Sequence, residues 1–267
     1  MSLEINLKGK RALVSGVSSG IGGGIGRMLS QAGCNISGCG LDPADSDGAQ
    51  QFLQSVEQAG GKAEYLSLDI TDPAEIKSWV TSAVNLLGGI DILISNAGRN
   101  VFKGAEDCDE SAWEECMNLN LASHWRLAQQ AVPYLKQSGR GVIIVTASNH
   151  AFYSMPGCFP YNVAKAGLTA MVQSFAIEWG PTIRAVGIAP GFVETPAAHA
   201  WFESFPDAEA KFAEIKGLHP VNKIGSVEEI GALCAFLASD WGGFITGTTL
   251  LVDGGRSAIM QDGASYG

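Results

Sequence analysis

Seven short apolar runs alternate with longer helical stretches along this chain, and that alternation restricts its fold more than any other feature. Arg11–Ser15, Asn35–Gly40, Lys62–Asp69, Asp91–Ser95, Gly141–Val145, Ile183–Ala189 and Leu250–Val252 read as buried strands. The spacing predicts helices after the turn Gly16–Gly22, over Ser46–Ala59, Pro73–Leu87, Ser111–Leu119 and Ser123–Lys136, and from Pro160 onward. Strand and helix in alternation require parallel pairing, right-handed crossovers and helices on both sheet faces. The expected fold class is α/β, a doubly wound parallel sheet of about seven strands. No linker, repeat or low-complexity stretch divides residues 1–267, so a single domain is expected.

Ligands of such sheets bind outside the carboxyl ends of the strands. Every unusual motif falls there: Gly16–Gly22, Asp69, Asn96–Gly98, Ser148 and Pro190–Thr195. Gly16-Val-Ser-Ser-Gly20-Ile-Gly22 stands between a strand and a helix, the context a dinucleotide site needs. Glycines let the backbone approach a pyrophosphate whose charge sits at the helix N-terminus. The stretch Ser148–Lys165 places a hydroxyl at a strand end and Tyr161 four residues before Lys165 on one helix face. Tyrosine titrates near pH 10 and is a poor base, and an adjacent cation is expected to lower that value.

The chain has 267 residues, 46% hydrophobic and 16% charged, a globular and core-rich composition. A formal net charge of −10 with no Lys/Arg cluster argues against nucleic acid and disfavours an anionic carrier as substrate. The opening residues lack a signal-type apolar core, and no run approaches a membrane span, so a cytoplasmic protein with no membrane partner is expected. The six cysteines show neither metal-ligand pairs nor a disulfide framework, and no metal is expected. Cys34 and Cys39, five apart on one strand, should face opposite sides as small buried thiols.

The chain resembles the short-chain dehydrogenase/reductase family over essentially its whole length. The matching stretches are residues 15–22, Leu68-Asp-Ile70, Ser95-Asn-Ala-Gly98, Asn120, Ser148, Tyr161-Asn-Val-Ala-Lys165, Pro190–Thr195 and Asp253-Gly-Gly. The resemblance implies a Rossmann-like, NAD(P)-binding fold. It implies that Tyr161 is the general acid or base, that Ser148 bonds the reacting oxygen, and that Lys165 holds the nicotinamide ribose and depresses the Tyr161 pKa. Asn120 would anchor a water that relays protons, with Asn118 structural. Gly16, Ser18, Ser19, Gly20, Ile21 and Gly22 would cradle the pyrophosphate. Asp69 and Ile70 would border the adenine, with Asn96, Ala97 and Gly98 along the adenosine side. Pro190, Gly191, Val193 and Thr195 would hold the carboxamide end, while Asp253 organises a turn.

Departures from the family pattern are Ser15 for threonine, Ser95 for the first asparagine, and Gly40 and Leu41 where specificity residues usually stand. Asp42 follows two residues late and is expected among the cofactor-binding residues. With no cation near Gly40 or Val17–Ser19, a 2′-phosphate lacks a counter-charge, so NAD is expected over NADP. Residues at about 196–225 correspond to the family's substrate lid. His199, Phe202 and Phe205 are expected on one side of it, and His199, Trp201, His150, Phe152, Phe159, Arg99 and Asn100 become substrate candidates. The lid is acidic (Glu203, Asp207, Glu209, Glu214) and resembles lids of enzymes that oxidise sugars such as L-fucose, whereas Gly38-Cys-Gly40 resembles hydroxybutyrate dehydrogenases. The leading expectation is an NAD-dependent dehydrogenase of a sugar or polyol, a homotetramer like its family. The alternatives are an NAD(P)H-dependent 3-oxoacyl reductase and a non-catalytic redox sensor.

Overall fold

The computed structural model describes residues 4–259. The tail Gln261–Gly267, whose part in closing a neighbouring site the sequence leaves open, lies outside them. The strands are β1 (Arg11–Ser15), β2 (Asn35–Gly40), β3 (Ala63–Ser67), β4 (Ile92–Ser95), β5 (Gly141–Thr146), β6 (Ile183–Pro190) and β7 (Thr248–Val252). They form one sheet in the order β3-β2-β1-β4-β5-β6-β7, every pair parallel. The helices are α1 (Gly20–Gln31), α2 (Asp47–Gln58), α3 (Pro73–Leu87), α4 (Glu110–Met117), α5 (Ser123–Gln137), α6 (Tyr161–Trp179), α7 (Pro196–Glu203), α8 (Ala208–Gly217) and α9 (Val227–Ala238).

Two cores follow from the two-residue period of the strands. Ile92 and Ile94 join Ile25 and Leu29 of α1, Phe52 of α2 and Ile230 of α9 on one face. Leu93 joins Trp79 of α3, Leu127 of α5 and Leu168 of α6 on the other. Cys34 and Cys39 belong to opposite cores, as their spacing requires. Burying each large aliphatic side chain contributes about 1.5–3 kcal/mol, so both layers are needed to hold the sheet.

Local chemistry sets the helix ends. Ser46 Oγ accepts from Ala49 N at 3.4 Å to start α2. Asp72 Oδ1 accepts from Ala74 N at 2.7 Å, ahead of Pro73 in the first turn of α3. Helix α9, absent from the sequence reading, starts at a capping box in which Ser226 and Glu229 satisfy each other's backbone N–H groups. That Ser-x-x-Glu signal stood in the sequence ahead of an apolar run.

The expected break between helices at Leu119 and Ser123 is not found. A π-helical segment, Asn118–Ala122, joins α4 to α5 without interruption. Such wide turns concentrate at functional sites because they rotate one residue off the regular face. Asn120 lies within this segment and is fully buried. Among the described residues no helix is long and apolar enough to cross a membrane, and no cluster suited to a metal occurs.

Candidate active site

Strand order extends outward from β1 to β3 on one side and from β4 to β7 on the other, so the order, not the strand direction, reverses between β1 and β4. The crevice at the carboxyl ends of these two strands is where a doubly wound sheet receives its ligand. Gly16 has φ +75°, a conformation that favours glycine, and a Cβ on Gly22 would sit 1.9 Å from Gly16 O. This tight turn delivers the backbone to the start of α1. Ser19, at the N-cap of α1, makes no side-chain cap bond, which leaves the first N–H groups of a 12-residue helix for an anion.

The β4 end is pinned to the same turn. Ser15 Oγ accepts from Asn96 N at 2.9 Å and from Ala97 N at 3.0 Å, and Asn96 Nδ2 donates to Ser15 O at 3.1 Å. A Cβ on Gly98 would lie 2.8 Å from Asn120 Oδ1 and 3.6 Å from Lys165 Nζ. One on Gly20 would touch Thr195 at 3.4 Å. The cradle therefore fits a dinucleotide running from the α1 N-terminus toward Lys165. Thr195 itself caps α7, its Oγ1 accepting from Ala198 N at 3.1 Å. Val193 pairs with Gly225, which ties the lid base beside the Pro190–Gly191 strand end. Ile70 is buried. Asp69 is exposed and accepts from Thr71 N at 2.8 Å, a turn-forming bond. Asp253 organises its turn through Gly255 N and Ser257 N, at 3.0 and 2.9 Å.

Ser148, at the exit of β5, and Tyr161, opening α6, are both buried. Lys165 Nζ donates to Thr146 O at 2.9 Å and lies 5.5 Å from the Tyr161 ring centroid. Asn120 Oδ1 accepts from Arg99 N at 3.1 Å. Asn118 is engaged elsewhere, accepting from Arg126 Nη1.

The expected lowering of the Tyr161 pKa is not what this environment produces. Burial pushes it up to about 12, against an opposing hydrogen bond from Ser148. The same burial drops Lys165 to about 8. Desolvation dominates at Tyr161, and the Lys165 hydrogen bond goes to a backbone carbonyl and not to the phenol.

Around Tyr161 three rings meet edge to face. Phe102 lies 5.3 Å from Tyr161 and 6.0 Å from His150, and His150 lies 6.3 Å from Tyr161, by ring centroids. Sequence reading missed Phe102. The sequence offered only its position four residues past Gly98; its bridge to Pro160 just ahead of α6 is a tertiary contact. Also missed was His124, buried on α5, with Nδ1 2.8 Å from Ser95 Oγ. Burial, aided by the nearby Lys165 charge, lowers its pKa to about 3.

The other candidates are dispersed. Phe159 stacks on Trp113 at 5.6 Å. Phe152 and Asn100 are exposed, and Arg99 pairs with Glu115 of α4. His199 is exposed and meets Glu194 at 3.2 Å, whereas Phe202 is buried against Phe192 and Phe212. Phe205 falls beyond the end of α7 and packs edge-on to Trp201 at 4.8 Å. The expected one-sided stripe fails because α7 stops at Glu203. The lid acids also face outward: Asp207 caps α8, Glu214 pairs with Lys211, and Glu203 and Glu209 are exposed.

A family model described as enoyl-(acyl carrier protein) reductase matches residues 16–257. The chain is 32% identical to 3β-hydroxysteroid dehydrogenase 1 of Eggerthella lenta, covering 98% of both chains. It is 35% identical to 2-dehydro-3-deoxy-D-gluconate 5-dehydrogenase of Bacillus subtilis, covering 94% of this chain and 95% of that one. The solved structure of a 7α-hydroxysteroid dehydrogenase, complexed with NADH and 7-oxo glycochenodeoxycholic acid, superposes with a TM-score of 0.85 at 29% identity, over 94% of this chain and 96% of that one. With these matches over its full sheet and cradle, the chain belongs to the short-chain dehydrogenase/reductase family of NAD(P)-linked oxidoreductases.

Proposed function

We propose that this enzyme is NAD-dependent and transfers a hydride between nicotinamide and a secondary alcohol or carbonyl, acting on a sugar or polyol. The observation that carries the reading is Tyr161, buried at the carboxyl edge of the sheet between Ser148 and Lys165. The bound nicotinamide supplies the hydride acceptor or donor. Tyr161 Oη moves the proton of the substrate hydroxyl, and Ser148 Oγ orients that oxygen. Lys165 supplies a buried cation to the ribose side, and Asn120 holds the backbone at Arg99 that borders it. The lid over residues 196–225 excludes water from the transfer. It has its own small core of Ala198, Phe202, Ile215 and Ile224.

The sugar reading rests on the box around Tyr161, where aromatic edges from Phe102 can pack a ring's C–H face and the half-buried His150 offers a polar contact. The relative from B. subtilis, named for a deoxy-sugar acid, agrees with it. A second reading, a larger apolar ring alcohol, is favoured by the exposed Phe152, Tyr153 and Met155 on the Ser148–Tyr161 loop and by the relative named for a steroid. The test is formation of reduced nicotinamide with NAD and a panel of aldoses, polyols, hydroxy acids and sterols. Turnover on an aldose or polyol supports the first reading and turnover only on sterols the second. NADPH consumption confined to a β-ketoester would overturn both. We assign a tetramer built through the α5 and α6 faces, where Trp125 and Ile177 are exposed, and a reducing cytoplasm suited to the six free thiols. A monomeric mass in light scattering would contradict the assembly.

A further inference from the structure

A carboxylate about 20 residues beyond the glycine-rich turn is the usual reader of the adenosine ribose in sites of this class. Here that place belongs to Gly40, the last residue of β2. A Cβ at Gly40 would lie 2.6 Å from Ser18 Oγ and 2.8 Å from Tyr65 Oη, so two hydroxyls occupy the space a longer side chain would need. Tyr65 reaches it from the adjoining strand β3, where Tyr65 pairs with Gly38.

The Tyr65 hydroxyl is anchored at the loop. Tyr65 Oη donates to Asp42 O at 2.8 Å, which fixes the first turn of the β2–α2 loop. Burial pushes the phenol pKa up, and a hydrogen bond from Ser18 opposes the shift. Ser18 Oγ and Tyr65 Oη both border the open Cβ position of Gly40, and the Ser18 lone pairs, on a partly exposed loop beside the α1 N-terminus, are placed to accept from a ligand hydroxyl. The surrounding charge is wrong for a phosphate. Asp42 and Asp45 are exposed on the loop and Asp47 opens α2, also exposed, and residues 17–19 and 40–47 include no Lys or Arg. Arg27, which lines the cavity of about 330 Å³ beside Ser18 and Ser19, is paired with Glu228 at 2.7 Å.

We infer that Ser18 and Tyr65 together replace the ribose-reading carboxylate. Ser18 accepts from the ribose 2′-hydroxyl, and Tyr65 acts as a positioning residue that orients Ser18 and holds the acidic loop where a 2′-phosphate would sit. This rests on the reading of the site as one for NAD, and it explains how a chain without the acid still selects against NADP.

The experiment measures equilibrium dissociation constants of NAD, NADP and ADP-ribose by tryptophan fluorescence, with thermal midpoints recorded for each variant. Ser18→Ala and Tyr65→Phe should each weaken NAD and ADP-ribose by about five- to tenfold while NADP changes by less than about twofold. Gly40→Asp alone should weaken NAD because its Cβ meets both hydroxyls. Combined with Ser18→Gly and Tyr65→Phe, the same acid should regain NAD binding, which a merely structural role for Tyr65 would not produce. If the unaltered protein binds NADP as tightly as NAD, the NAD reading falls and this inference with it. If it prefers NAD and both single variants keep that preference, the inference alone is overturned.

Discussion

Lys165 lies below the ring of Tyr161, its Nζ 5.5 Å from the ring centroid, and directs its hydrogen bond to Thr146 O instead of to the phenol. Lys165 is 3% exposed, and its ammonium has no carboxylate partner among the described residues. A buried, unpaired cation opposes folding, and here its pKa falls from 10.5 to about 8. At pH 7 that shift corresponds to about 3 kcal/mol of lost stability. Lys165→Met should therefore raise the urea midpoint while weakening cofactor binding by at least about tenfold. A variant that is both less stable and equally able to bind would contradict this account of the site.

The same shift sets a pH window. The folded pKa of Lys165 lies below its unfolded value, so between about 8 and 10.5 the unfolded chain holds the extra proton and stability rises with pH. Cofactor binding should run the other way. As Lys165 discharges near pH 8, the dissociation constant of NAD should climb, and in Lys165→Met it should stay flat over that range. Fluorescence titrations across the window check both trends.

His124 predicts an acid-side effect. Its pKa is lowered from 6.5 to about 3, so on acidification the unfolded chain takes up a proton that the folded one refuses. This one group makes stability fall between those values by up to about 1.4 kcal/mol per pH unit. His124→Gln, which does not titrate, should show a shallower loss of urea midpoint between about pH 6 and pH 4. Equal slopes for the two proteins would place the acid sensitivity elsewhere.

Phe102 separates binding from chemistry. It is 40% exposed, so truncation leaves little cavity, yet its ring edge meets Tyr161. Phe102→Ala should raise KM by about tenfold, leave the thermal midpoint within a degree or two, and lower kcat by less than about threefold. A collapse of kcat with unchanged KM would mean that the ring positions Tyr161 and not the substrate.

Much of this architecture was legible because short-range rules settle it. The β-branched runs that became β1 to β7 and the Pro73 start of α3 need only local pattern. The glycine turn was legible for the same reason, since Gly22 has no room for any side chain. What escaped depended on tertiary contact. The π segment at Asn118–Ala122 shows no local sequence signal, and Asn120 within it is fully buried. The Tyr161 pKa was misjudged because an i, i+4 spacing gives proximity but not the desolvation that overrides it. The lid acids looked like a substrate surface until capping and pairing turned them to solvent. Phe102 became visible only when its bridge to Pro160 closed the box.

The most direct test of the central claim is turnover of Tyr161→Phe beside the unaltered enzyme, on whichever alcohol the panel identifies, with NAD affinity measured on both. The account predicts that kcat falls by about 10²–10⁴-fold while the dissociation constant of NAD changes by less than about threefold. Retention of full turnover in Tyr161→Phe would remove Tyr161 from the proton transfer and contradict the mechanism.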